Sequence, residues 1–404
     1  MKPDRAKRAA PSDPYAAYRL VGTACALVVL AAAAWQFVLN VRHPADRDFL
    51  SFWGAAQMAI AGKPWLAYDN AALHALQATV ASFGGAGEMT FPYPPAYLLL
   101  VAPFGLLSFP AGMIAWSLCT GAFFLFAARR LMPRSGWLAL AFPAAFATAA
   151  IGQNGFVMAG IFMAGLVLLE RRPFAAGLVL GCLVLKPQLA LLLPIALLAG
   201  ARWRTIAGAA VSAIGILLLG LAVFGVATTE AWIHQLPLYG RIGRDGLVGW
   251  SKLASVYAAG RQAGLEAGPA LMLHLSLLMA AAAAVWRIWR SKIGGDGAKV
   301  AILSAAAPLA SPYVFYYDQL ILVPAFFWLV REKVSPAVVA ALWCLSLLTL
   351  AQLGLDQPVN FGPIGPMAIV ALVYWRWRAS ERARADRSEP QTFTIEQPSP
   401  VTLS

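Results

Sequence analysis

The chain has 404 residues, of which 60% are hydrophobic and only 12% charged, and a formal net charge of +13. An average soluble domain is about 25% charged, so this composition excludes a water-soluble fold. Nor does the positive balance point to nucleic acid. Lys and Arg sit at the ends of apolar runs rather than on one soluble segment with interleaved aromatics, which is the positive-inside pattern of cytoplasmic loops.

In chain order, Lys2, Arg5, Lys7, Arg8 and Arg19 precede an uncharged run from Leu20 to Val41. That run is too long for the apolar core of a cleavable signal. It predicts a retained first helix, with residues 1–18 a basic cytoplasmic N-terminus.

A polar loop of about 42–90 follows on the outer side. It opens with Asp46, Arg47 and Asp48. A carboxylate at the mouth of a membrane cavity can take a proton from an attacking hydroxyl, and the plainer alternative is an exposed acid at a helix terminus. The apolar stretch 52–60 and the amphipathic stretch 68–80 predict short helices in the interface plane. The loop ends in Phe91-Pro92-Tyr93-Pro94-Pro95, whose prolines favour an extended approach to the membrane. The motif reads as architectural first, with Tyr93 a possible substrate contact.

Beyond it, apolar segments recur near 94–107, 110–128, 136–151, 155–169, 174–185, 188–200 and 205–227. After a second outer loop of about 230–266 come 269–289, 299–315, 318–330, 334–351 and 362–376. With the first helix this makes thirteen. Both tails are basic; if both lie in the cytoplasm the number of crossings is even, and at least one segment is re-entrant or half of a broken helix. Counting from the N-terminus puts Arg129, Arg130 and Arg134 outside, whereas counting back from the C-terminus puts Arg171 and Arg172 inside. The two counts conflict between residues 90 and 135. The expectation is therefore an all-α polytopic membrane domain over 19–378, of about twelve transmembrane helices. A disordered cytoplasmic tail is expected at 379–404, a polar segment with few apolar groups.

Several polar residues interrupt these segments. Gln153 and Asn154, after Gly152, can bind sugar hydroxyls or cap a helix. Lys186 lies between two apolar stretches, where an ionisable group is costly and usually faces a cavity or partner. It could hold a lipid phosphate or snorkel to the interface. Ser311 to Gln319 combines Pro312 with Tyr313, Tyr316, Tyr317 and Asp318, groups suited to a sugar or phosphate-linked isoprenoid, although Tyr is also an interfacial belt residue. Cys25, Cys119, Cys182 and Cys344 read as small core residues. His43, His74, His234 and His274 have no ligand spacing, so a metal site built on them is not expected.

Taken together, the chain resembles glycosyltransferase family 87, the polyprenyl-phosphate-mannose-dependent α-mannosyltransferases with the GT-C fold. The resemblance rests on D-F-L-S-F-W-G-A-A at 48–56, G-K-P-W-L-A-Y-D at 62–69, F-P-Y-P-P at 91–95, G-Q-N at 152–154 and A-G-L-V-L-G at 176–181. K-P at 186–187, A-R-W-R at 201–204 and S-P-Y at 311–313 complete it in family order. It implies a GT-C-like bundle and an aspartate early in the first outer loop as catalytic base, with Asp48 the fitting position and Asp46 second. It further implies an inverting transfer of a hexose, mannose first, from a polyprenyl-phosphate donor to a lipid or glycan acceptor outside the cytoplasmic membrane; no cofactor is expected, and the sequence leaves any metal requirement open. Lys186 is the first choice to neutralise the leaving phosphate, with Arg241 or Arg244 completing it. One departure stands out: where some members carry His after the S-P motif, this chain has Tyr316, Tyr317 and Asp318. The rival reading is a transporter or flippase of a lipid-linked sugar, and behind it a noncatalytic scaffold.

Overall fold

The computed structural model describes residues 15–42, 48–81, 89–293, 295–354 and 358–388. Among these the chain is all-helical and has no strand; a single antiparallel bridge joins Leu253 to Phe315. The helices are α1 (Ala16–Arg42), α2 (Phe49–Ile60), α3 (Asn70–Gln77), α4 (Tyr97–Gly105), α5 (Phe109–Leu131), α6 (Pro143–Ile151), α7 (Gly155–Leu168) and α8 (Pro173–Gly181). They continue with α9 (Leu193–Ala199), α10 (Trp203–Arg244), α11 (Val256–Gln262), α12 (Ala267–Arg290), α13 (Gly295–Ala306), α14 (Val323–Arg331), α15 (Pro336–Ala351) and α16 (Ile364–Ser388).

Three of them, α5, α10 and α12, are long and apolar enough to cross a bilayer, which takes about 20 residues. The apolar stretch of α10 is almost wholly exposed: Val211, Ile214, Leu218 and Val223 all face outward. A contiguous apolar surface of this kind marks contact with lipid or another apolar partner. Other segments expected as continuous spans are shorter and pass through 3-10 turns, at Cys182–Leu185, Pro187–Leu189, Ala307–Leu309 and Tyr316–Leu322. Pro187, Pro308 and Pro324 lie in or beside these turns, and each removes an amide donor from the helical ladder. Irregular backbone at membrane depth is tolerated where protein or a cavity satisfies the freed groups.

Close approach of α8 to α10 depends on small residues. A Cβ on Gly177 would lie 2.1 Å from the Thr205 carbonyl oxygen, and one on Gly208 would lie 2.2 Å from that of Phe174. Small residues let apolar helices pack backbone to backbone where burial from water contributes little.

The packing of α4 bears on the conflict between the two topology counts. Gln57 donates to the Gly105 carbonyl at 2.7 Å and Trp53 to that of Leu107 at 3.0 Å, while the Tyr97 ring lies 5.4 Å from Phe52. Both ends of α4 therefore rest on α2, and its nine residues reach only about 14 Å, half the hydrocarbon thickness. The segment 94–107 returns to the end it started from. α5 then runs from Phe109, whose ring is 5.9 Å from Phe49, to Arg130, which shares a cavity with Arg171 and Arg172. These arginines thus share one end of the bundle, opposite Asp48. The same basic end gathers Arg202 with Glu170, Arg287 with Tyr374, and Arg376 with the Glu332 carbonyl.

Three further expectations change. The helix over 52–60 is α2, but it is enclosed nearly all round, with Phe49 to Ala56 all buried, rather than lying half-exposed in an interface. α16 continues to Ser388, into the segment expected to be a disordered tail, because Arg, Glu and Ala there are good helix formers; the remainder of that tail and most of the basic N-terminus lie outside the described residues. Cys119 and Cys344 are exposed rather than core, and Cys25 and Cys182 are half-buried.

Candidate active site

Asp48 stands at the start of α2, half-buried. Asp46 lies outside the described residues. Gln153 Nε2 donates to Asp48 Oδ2 at 2.9 Å. What brings Gln153 there is the turn between α6 and α7. Gly152 ends α6 with φ +67°, a left-handed conformation that costs other residues energy. A Cβ at Gly152 would also sit 2.6 Å from that of Phe49. Trp116 Nε1 donates to the Gln153 carbonyl at 3.4 Å, and Gln153 Oε1 accepts from the Asn154 amide at 2.7 Å.

Asn154 is fully buried and passes the network on: its Oδ1 accepts from Lys186 Nζ at 3.0 Å. Lys186, 2% exposed, projects from the break between two 3-10 turns. Its Nζ pairs with Asp318 Oδ1 at 2.6 Å and lies 4.7 Å from the centre of the Tyr317 ring. The Phe315 amide donates to Asp318 Oδ2 at 3.1 Å, so backbone and ammonium together hold the buried carboxylate. An unpaired charge at such depth is very costly. The Tyr317 ring stacks on Phe315, 5.3 Å away and 6° from parallel.

Tyr93 closes the other side. Its ring stacks on Tyr97 at 4.2 Å and meets Phe52 edge-on at 5.5 Å. Burial first, then the Asp318 and Asp48 carboxylates, push the Tyr93 hydroxyl well above its ordinary value, so it stays protonated and able to donate. Among the described residues the Tyr97 hydroxyl and Asn154 Nδ2 are buried and make no hydrogen bond of full geometry, although the Asn154 side chain lies close enough to Tyr97 and Tyr93 to act on both hydroxyls. A buried polar group left short of a full hydrogen bond is destabilising, and a bound hydroxyl could complete the set.

The structure therefore brings together Asp48, Gln153, Asn154, Lys186, Asp318, Tyr317 and Tyr93. It does not bring Arg241, Arg244 or Tyr313 into this network. Arg244 is exposed and pairs with Asp245 at 3.2 Å, Arg241 is exposed, and Tyr313 packs over Gly243. These three lie around the C-terminal part of α10, which breaks at Gly225 and passes beside the 91–95 motif: Tyr239 donates to the Phe91 carbonyl at 2.9 Å. Sequence reasoning missed Tyr97 and Trp116. Tyr97 carried a signal, since it follows Tyr93 by four residues.

A glycosyltransferase family 87 model matches residues 91–312, just over half of the chain. No curated protein and no solved structure matches it.

Proposed function

Because the chain belongs to glycosyltransferase family 87 and is thereby a membrane glycosyltransferase, we propose that it moves a hexose from a polyprenyl-phosphate donor to a lipid or glycan acceptor, with Asp48 as base. The observation that supports this most is the 2.9 Å contact from Gln153 to Asp48 Oδ2. An acid merely exposed at a helix start would not be tied to a buried polar network. The acceptor hydroxyl attacks the anomeric carbon as its proton passes to Asp48. The bond from that carbon to the phosphate oxygen breaks, the configuration inverts, and the phosphate leaves as an anion with the electron pair.

Charge balance favours a positioning role for Lys186. The network holds one cation against two carboxylates, and the Lys186 ammonium already faces Asp318 at 2.6 Å. In this reading Lys186 chiefly positions Asn154, and through it Gln153, while Arg241 and Arg244 on the outer part of α10 meet the leaving phosphate. Tyr97, Asn154 and Tyr93 offer hydrogen bonds to sugar hydroxyls.

The active end is assigned to the extracytoplasmic side of the cytoplasmic membrane. Two features support this: among the described residues the arginine-rich turns gather at the opposite end, and an α4 that does not cross would leave an even number of passages among the thirteen apolar segments, in keeping with two basic tails on one side.

The test is transfer from a radiolabelled polyprenyl-phosphate hexose to a panel of lipid and glycan acceptors by the purified protein in liposomes. Labelled product supports the enzyme. Donor crossing the bilayer without any product would favour the flippase instead.

A further inference from the structure

At the basic end, away from Asp48, a cavity of about 620 Å³ opens between the C-terminal ends of α5 and α7 and is lined by Arg130, Leu131, Val167, Leu168, Arg171 and Arg172. The nearest carboxylate along the chain, Glu170, is already taken: Arg202 Nη1 donates to it at 3.1 Å and Nη2 forms a second bond. Among the described residues, Arg171 and Arg172 have no side-chain hydrogen bond or ion pair, and the contact of Arg130 is with the Phe126 ring, 4.8 Å from its centre. Three guanidinium groups around one hollow repel one another. The negative ends of α5 and α7 favour cations near them, which accounts for arginines at each helix terminus but not for three turned on a shared space.

A guanidinium presents a planar fork of donors that matches phosphate oxygens two at a time. Leu131, Val167 and Leu168 add an apolar floor of the kind that suits a glycerol backbone or the start of an acyl chain. We propose that this cavity is a second ligand site, one that binds a phosphate headgroup on the side opposite the transfer reaction. A membrane phospholipid and a soluble phosphate monoester share that chemistry. The assignment does not depend on Asp48 or on the sugar donor.

The test uses the full chain purified in detergent and reconstituted in nanodiscs of phosphatidylcholine with or without phosphatidylglycerol, with retained lipids counted by native mass spectrometry. Arg130→Gln/Arg171→Gln/Arg172→Gln is compared with Arg290→Gln/Lys292→Gln/Arg331→Gln, which removes the same charge from exposed positions elsewhere at this end. The expected result is selective retention of phosphatidylglycerol by the wild type and the control, reduced at least about tenfold in the cavity variant. If the triple variant does not fold, Arg171→Gln alone and the triple Lys variant are used, and both should retain less than the wild type. In a second arm, glycerol phosphate is added to lipid-depleted protein. A melting shift there that the cavity variant lacks, without lipid retention, upholds the phosphate site and assigns it to a soluble ligand. Equal lipid retention and equal melting shifts in the wild type and the variants would overturn the proposal.

Discussion

Lys186 Nζ sits between Asn154 Oδ1 at 3.0 Å and Asp318 Oδ1 at 2.6 Å, so one buried ammonium joins the α6–α7 turn to the 3-10 turn ahead of α14. Removing one member of such a pair strands the other charge, at about 3–5 kcal/mol. Lys186→Met should therefore lower the melting temperature sharply in detergent, and Lys186→Met/Asp318→Leu should recover much of the loss. A double variant no better than the single would show that the two groups do not depend on each other.

Gln153→Ala removes a hydrogen bond to a carboxylate, a contact of about 1.5–3 kcal/mol. If it orients Asp48, kcat for hexosyl transfer should fall roughly 10- to 100-fold with little change in KM. A change confined to KM would make Gln153 a substrate contact instead.

Tyr97→Phe deletes a buried hydroxyl that makes no hydrogen bond of full geometry and whose polar neighbour is the Asn154 side chain. Stability should change by no more than about 1 kcal/mol, while KM for the donor or acceptor rises. Thermal denaturation and steady-state kinetics on the same preparation distinguish this from a structural role, in which stability would fall and KM would not move.

Gly152→Ala places a side chain at φ +67° and against Phe49. A loss of about 1–3 kcal/mol is expected, with activity falling further than stability because Gln153 moves with the turn. Circular dichroism melting alongside turnover checks both.

Sidedness has its own measurement. Single cysteines replacing Arg134 and Arg171, in a background free of the four native ones, should react with a membrane-impermeant maleimide from the same side, and a cysteine replacing Thr79 from the other. Labelling of positions 134 and 171 from opposite sides would restore a crossing at 94–107.

Much of this was legible in the sequence because it was written in composition and local breaks. Charge-free runs mark the helical segments, and the polar interruptions at Gln153–Asn154, Lys186 and Asp318 are the residues the fold joins. The pairing of Lys186 with Asp318 was not legible: they are 132 positions apart, and each alone looks like a surface ligand for a substrate. Apolarity likewise does not distinguish a helix such as α4, which packs along α2, from a crossing helix, since burial in protein and burial in lipid select the same residues. An isolated Lys in an apolar run carries no sign of its partner, so the sequence alone does not distinguish a phosphate counter-charge from a structural ion pair at Lys186.

The most direct measurement is the single-turnover rate of hexose transfer by Asp48→Asn, an isosteric change that keeps an acceptor oxygen for Gln153 but removes the base. Loss of about 10²–10⁴-fold with donor binding intact is the predicted result. A rate within a fewfold of wild type would remove Asp48 from the chemistry and leave the network around Lys186 as support for the fold alone.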